Sequence, residues 1–372
     1  MNNNYKKIGD YISLIDTRNN DNNFSNLIGI SINKCYIPSV ANIVGTDLSN
    51  YKVIRNGQFA CSLMQVSRDQ RIPIAMYKQA EPSILSPAYV MFEVNRPNEV
   101  LPEYMDLWFK RAEFDREASF YAVGGVRGSL DWEDFCNLKL PIPSLSKQKE
   151  FVDNYHLISS RIDLLNNINF KLEDIAQTLF NDIFFKDDYC NCTLAEISKI
   201  NPSRMLKKGQ LAKCFDMSTL PTAGCIPDGY EIKQYNGGVR FKNGDTIIAR
   251  ITPCLENGKA AYINILDDDE IAFGSTEFIV FSSIDKIPTS FYYFLIRNYK
   301  FKLFALQFMN GSSGRQRVSG DELGSFPLKR PDEKDLNKFD NLASKVLKHV
   351  KINTLEIRRL KDLQNLILTN LA

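Results

Sequence analysis

Gly125-Val-Arg127-Gly-Ser-Leu-Asp-Trp-Glu-Asp134-Phe135 and Gly314-Arg315-Gln-Arg-Val-Ser-Gly-Asp-Glu322-Leu323 are the stretches that decide the fold, because they align with Arg127 on Arg315 and Asp134 on Glu322. Internal repetition has to be recognised before any architecture is drawn, since a repeated unit is one fold used twice. The same register runs on to the C-terminus: Leu138-Lys-Leu140-Pro-Ile-Pro143 falls on Phe326-Pro-Leu328-Lys-Arg-Pro331, Phe151 on Phe339, Ile158 on Val346, Leu172 on Leu360 and Leu179 on Ile367. Upstream the match weakens but persists, with Arg55-Asn56-Gly57 on Lys242-Asn243-Gly244 and Leu101-Pro102 on Ile287-Pro288. The chain reads as two copies of one unit, each a globular part followed by a helical tail.

The tails are legible by period. Phe151, Tyr155, Ile158, Ile162, Leu165, Asn169, Leu172, Ala176, Leu179 and Ile183 keep an unbroken 4-3 spacing, as do Phe339, Ala343, Val346, Val350, Asn353, Ile357, Leu360, Gln364, Ile367 and Leu371. That spacing is the seam of a coiled coil, and a polar Asn at a seam position sets register rather than filling a core. Pro143 and Pro331 stand just before the two helices, where the chain stays extended. The globular parts read as mixed α/β: short β-branched and aromatic runs such as Thr246–Ala249 and Glu277–Phe281 are bounded by Asn-Gly and Gly-Ser punctuation, and Pro102–Phe114 and Pro288–Phe308 carry apolar residues at helical spacing. The expected architecture is therefore α/β, two mixed domains at 1–144 and 187–331, with long helices at 145–186 and 332–372 packed as an antiparallel coiled coil and the repeat related by a pseudo-twofold axis.

Composition narrows the function. The 372 residues carry 46 Lys and Arg against 44 Asp and Glu, a net charge of +2, so nucleic acid would be held by local clusters rather than by a bulk field. Eight cysteines without an apolar leader point to reduced thiols in a cytoplasm, and no apolar run reaches membrane-spanning length. Cys190-Asn-Cys192 lacks a second ligand pair, and His156 and His349 stand apart from nucleophile motifs. Asn257-Gly258-Lys259-Ala260 lacks the leading Gly and the hydroxyl of a phosphate-binding loop, and Asn201-Pro202-Ser203-Arg204 lacks the second Pro and the aromatic ring of an amino-methyltransferase motif. Pro227-Asp228 with Glu231-Ile-Lys233 is too closely spaced for a nuclease metal site. No catalytic or metal residue is expected.

What remains are polar loops. In both copies a helical segment is followed by a glycine-rich loop with arginine, Val123-Gly-Gly-Val-Arg127-Gly-Ser129 and Asn310-Gly-Ser-Ser-Gly-Arg315-Gln316-Arg317. Small-residue loops let backbone amides approach a phosphate while Arg adds a charge-assisted contact; a plain capping turn with a solvated Arg is the alternative. A second loop, Arg250-Ile-Thr252-Pro-Cys-Leu-Glu-Asn257-Gly-Lys259, carries residues suited to base edges in a major groove, and its counterpart Leu63-Met-Gln65-Val-Ser-Arg68-Asp-Gln70-Arg71 is equally rich in donors but unrelated in order. Equivalent scaffolds with unlike loops fit a protein that reads two different sequences. The candidate DNA contacts are Gln65, Arg68, Gln70, Arg71, Arg127, Arg250, Thr252, Asn257, Lys259, Arg315, Gln316 and Arg317.

The order unit, long helix, unit, long helix, with Arg250-Ile-Thr-Pro-Cys-Leu-Glu-Asn-Gly-Lys259, Gly274-Ser-Thr-Glu-Phe-Ile-Val-Phe281 and Gly314-Arg-Gln-Arg-Val-Ser319, resembles the specificity subunit of type I restriction-modification systems over the whole chain. The resemblance implies a non-catalytic subunit whose two domains each read one half of a bipartite double-stranded target. It also implies that the helices dock two methyltransferase subunits, with restriction (motor and nuclease) subunits joining through the complex. S-adenosylmethionine, ATP and Mg then belong to those partners, with no cofactor on this subunit. Apolar Leu164, Ile168, Leu355 and Leu363 on the outer helix faces are the expected docking positions. The first copy departs from the family's Thr-Pro…Glu-Asn-Gly-Lys pattern, which weakens the assignment of contacts there. The competing reading is a coiled-coil scaffold, or a sequence-specific DNA-binding protein outside restriction-modification.

Overall fold

In the computed structural model the described residues are 5–20, 23–39, 45–64, 66–122, 128–186, 189–284, 286–312 and 314–371. They form two compact units, residues 1–161 with 360–372, and residues 162–359.

The first unit is built on a four-stranded antiparallel sheet in the order Ile12–Ile15, Val90–Val94, Phe59–Cys61, Ile74–Met76. The second unit has a four-stranded antiparallel sheet in the order Ser198–Ile200, Phe278–Ser283, Thr246–Ala249, Ala260–Tyr262. Each strand of one is the sequence counterpart of the strand at the same place in the other, so the repeat read from glycines and prolines is a repeat of topology. Tyr5–Lys7 pairs with Lys139–Pro141, and Cys192–Thr193 with Pro327–Leu328, again equivalent. The copies differ in their second layer. The second unit has a four-stranded sheet, Glu231–Gln234, Leu211–Phe215, Ala272–Gly274, Val239–Phe241, whereas the first has two separate pairs, Ile28–Ile30 with Tyr36–Pro38 and Lys52–Ile54 with Ser83–Leu85.

One expectation is corrected in both copies. Pro102–Phe114 and Pro288–Phe308 are not single helices but pairs: Pro102–Phe109 with Ala112–Tyr121, and Thr289–Arg297 with Tyr299–Gln307. The breaks fall at Arg111 and Asn298, both extended, and the Asn298 side chain caps the new helix by accepting from the amides of Lys300 and Phe301. Apolar spacing continues across each break because both halves pack on one core.

The long helices run Leu145–Phe184 and Glu333–Thr369. Gln148, fully buried, starts the first by donating to the carbonyls of Glu99 and Pro143 and accepting from the Leu101 amide. Within the second unit the Phe180 and Phe339 rings lie 5.2 Å apart, and Asn353 Nδ2 donates to Asn169 Oδ1 at 2.7 Å. Residue numbers thus fall along one helix as they rise along the other, so the pair is antiparallel. In the first unit Gln364 Nε2 donates to Ser159 Oγ at 2.7 Å in the same sense. Burial follows the seam at Ala176, Phe339, Ala343, Val346 and Val350, but departs from it at Phe180, which is enclosed in the second unit's core while the seam residues Leu179 and Ile183 are only partly buried. Each large apolar side chain buried this way contributes about 1.5–3 kcal/mol.

The Asn201-Pro-Ser-Arg204 segment is structural. Asn201, at φ +50°, exchanges hydrogen bonds with Val280, and Arg204 holds Asp245 at 2.6 and 2.7 Å and Ser282 at 2.9 Å. Cys192 is buried with its thiol on the Leu328 carbonyl, while Cys190 is exposed. No helix among the described residues is long and apolar enough to cross a membrane.

Candidate nucleic-acid interface

In the second unit two segments far apart in sequence are joined. Val318 donates its amide to the Arg250 carbonyl at 3.0 Å, Thr252 to the Gln316 carbonyl at 3.0 Å, and Gln316 to Thr252 Oγ1 at 3.1 Å. Asn310 and Arg317 exchange backbone bonds at 2.9 and 2.8 Å, closing a hairpin that Gly311 and Gly314 turn at φ +129° and +76°. The first unit makes the equivalent link, Leu130 amide to Leu63 carbonyl at 2.9 Å, and Gly128 lies against Ser67. The glycine-arginine loop and the polar loop are therefore neighbours in the second copy, and in the first the described end of the loop, from Gly128 on, lies against the polar segment.

The side chains sort themselves by environment. Thr252 is buried, its hydroxyl taken by Gln316, so it holds the two loops together. Arg317 is chelated by Glu277, with Nε at 2.9 and 3.0 Å and Nη2 at 2.7 Å, and this bond holds the Glu277 carboxyl below the usual carboxylate range. Arg250 is half-buried beside Glu277 and Glu322, and its Nε has no hydrogen-bond partner among the described residues. Lys259 Nζ donates to the Met217 carbonyl at 2.7 Å, which fixes the far end of the polar loop. Asn257 and Arg315 are exposed at the ends of their loops. Gln316 is half-buried. The amides of Arg315, Gln316 and Arg317 are already bonded to the Ser312 carbonyl, Thr252 Oγ1 and the Asn310 carbonyl, so these three are not open to a phosphate.

In the first unit Gln65 and Arg127 lie outside the described residues. Arg68 is exposed and chelates Asp69, at 2.7 and 3.1 Å. Gln70, at φ +50°, and Arg71 line a cleft of about 450 Å³ with Lys34, Lys110, Arg116 and Asp115. Lys34 is nearly enclosed and paired with Asp115 at 2.7 Å; burial lowers its pKa, and nearby Arg71 and Lys110 push the same way. Sequence reading passed over Lys34, Lys110 and Arg116 because they come from three unconnected segments. The one signal was the turn Ser31-Ile-Asn-Lys34-Cys35, closed by Lys34 amide to Ser31 carbonyl at 2.9 Å.

Residues 186–364 match the model of the type I restriction modification DNA specificity domain. Among curated proteins the chain is similar to the Type I restriction enzyme EcoAI specificity subunit of Escherichia coli, 32% identical over 166 residues, covering 41% of this chain and 27% of that protein. It is also 29% identical over 161 residues to the EcoEI specificity subunit of Escherichia coli, covering 42% of this chain and 27% of the relative. The matched stretch thus spans about a quarter of each relative's length. A crystal structure of a type I restriction-modification S subunit from M. genitalium superposes with a TM-score of 0.59 at 11% identity, covering 100% of this chain and 97% of that one, which establishes the shared fold.

Proposed function

We propose that the chain is the non-catalytic DNA-specificity subunit of a type I restriction-modification complex, each unit reading one half of a bipartite duplex target. The observation that carries this is one sheet topology and one inter-loop hydrogen bond, used twice under polar loops of unlike sequence. A reader of two different half-sites needs a constant frame and variable contacts. In the second unit exposed Asn257 suits an adenine edge and exposed Arg315 a phosphate. Arg250, beside Glu277 and Glu322, reaches DNA only by leaving them. In the first unit Arg68, Gln70 and Arg71 supply the donors, with Lys34 and Lys110 behind them.

Exposed Leu164, Ile168, Leu355 and Leu363 on the long helices are the docking positions for two methyltransferase subunits, which with the restriction subunits carry S-adenosylmethionine, ATP and Mg in the cytoplasm. Selection from a duplex pool of random sequence tests the reading. Enrichment of two half-motifs at fixed separation is expected; a single motif, or none, refutes it, and absence of any binding favours a coiled-coil scaffold.

A further inference from the structure

Arg297, at the end of the Thr289–Arg297 helix, plays no part in the contacts assigned above, yet it is among the most fully engaged side chains of the second unit. Its Nη1 donates to the carbonyls of Thr222 and Gly258 at 3.0 and 2.7 Å, and its Nη2 to those of Gly224 and Ala260 at 2.7 and 3.2 Å. Two of these carbonyls belong to the segment after Met217–Thr219, and two to the end of the polar loop that begins at Arg250. Gly258 sits at φ +73°, and a Cβ there would lie 3.6 Å from the guanidinium and 3.5 Å from the Thr222 carbonyl. The loop turns at this residue directly beside Asn257.

The guanidinium is itself held. Its plane lies over the Tyr293 ring at 5.3 Å, and Nε reaches Tyr293 Oη at 3.3 Å. Tyr293 Oη in turn donates to Glu173 Oε2, on the first long helix, at 2.6 Å, and the Cys225 thiol hydrogen-bonds the same carboxyl. The chain of contacts therefore runs from the long helix through a fully buried phenol to four backbone carbonyls. A planar fork of five donors is the one side chain able to bridge two loops in this way.

We infer that Arg297 is a positioning residue for sequence recognition, clamping the 222–224 and 258–260 segments into one surface and fixing that surface to the long helix through Tyr293 and Glu173. Among the described residues the first unit has no such clamp. Matching the helix breaks, Arg111 on Asn298, puts Asp106 and Lys110 at the places of Tyr293 and Arg297; they bond each other at 2.8 Å, and the carboxylate takes Lys78 as well at 2.9 Å. The clamp belongs to the second copy alone, so its loss has to show in one half-site only.

This inference rests on the specificity reading, and the test separates the two. The full chain and its Arg297→Gln and Tyr293→Phe variants are used to select from a duplex pool of random sequence, with melting temperature and the salt dependence of binding measured in parallel. Wild-type chain that enriches no bipartite motif refutes the specificity reading before any variant is compared. Given two half-motifs, Arg297→Gln is expected to reduce discrimination in one of them about tenfold, the lower range for a misplaced base contact. The other half-motif and the salt slope stay as in wild type, because the guanidinium touches carbonyls and not phosphates, while the carbonyls left unpaired lower the melting temperature. Tyr293→Phe keeps the ring and the four carbonyl bonds but cuts the tie to Glu173, and a smaller loss in the same half-motif is expected. Both half-motifs remaining sharp, or both broadening alike, overturns the inference. Should Arg297→Gln fail to fold, Tyr293→Phe decides alone, and an unchanged motif overturns it.

Discussion

Replacing Asn353 by Ala tests the seam of the long helices where it is most specific. Asn353 Nδ2 donates to Asn169 Oδ1 at 2.7 Å, and both side chains are half-buried between apolar seam residues. Removing one amide leaves the other without its partner, at a cost of about 1–3 kcal/mol for a buried group. Partial access of water to the pair places the expected loss near the bottom of that range, about 1–2 kcal/mol. For a unit of this size that lowers the melting temperature by roughly 2–4 °C per kcal/mol. The double variant Asn169→Leu with Asn353→Leu removes both polar groups and continues the apolar seam, so it recovers most or all of the stability while releasing the register. Tryptophan fluorescence reports only the first unit, because Trp108 and Trp132 are the chain's two tryptophans. The second unit is therefore followed by far-ultraviolet circular dichroism, with tryptophan emission as the internal reference. Single variants within 0.5 kcal/mol of wild type (the ordinary scatter of surface changes, roughly that size), or a double variant equal to the sum of the singles, would show that the pair does not act as a unit.

Arg315→Ala is expected to weaken binding to all duplexes alike and to reduce the salt slope by about one, since exposed Arg315 is the side chain proposed above for a phosphate; a change in base preference measured by selection refutes this. Leu164→Glu with Ile168→Glu leaves melting unchanged, because both side chains are exposed, but is expected to abolish capture of the methyltransferase on co-expression, with wild type holding two copies by native mass measurement. Glu173→Gln addresses pH. Burial pushes the Glu173 carboxyl above its ordinary value, against the pull of Tyr293, Arg297 and Cys225, so the folded state binds this proton more tightly than the unfolded chain. Its contribution is complete below the unfolded value, near pH 4.3, and is lost as pH rises through the folded one. The Gln variant should accordingly match wild type at the acid end and exceed it in stability at pH about 8, and parallel denaturation curves at both pH values would refute the assignment.

The repeat is legible because Gly, Pro and a 4-3 seam mark backbone requirements that sequence states directly; spacing alone puts Asn169 and Asn353 on the seam, while their facing one another comes from the structure. The helix breaks were missed although Asn298 was a readable cap, since apolar spacing carries no mark where two helices share one core. The loops were legible as polar, but not which side chains they present. Arg317 meets Glu277 only because Gly311 and Gly314 fold the hairpin back, Arg250 is brought beside Glu277 by the pairing of Thr246–Ala249 with Phe278–Ser283, and Thr252 turns inward to meet Gln316. Those pairings are properties of a tertiary arrangement and have no local signature.

Leu371 lies 3% exposed in the same core as Tyr104 and Val152, and Leu368 packs against it. The first unit's core receives Leu368 and Leu371, the last of its side chains, only after the whole second unit has been synthesised. The second unit is complete at residue 359, so it is free to fold while the first still waits. That inverts the usual N-terminal-first order of synthesis. Until the last turn of the second long helix emerges, the first unit lacks the side chains that close this end of its core, about 1.5–3 kcal/mol for a fully buried one. A ribosome stalled shortly before it would then release a chain with its second unit formed and its first unit unfinished.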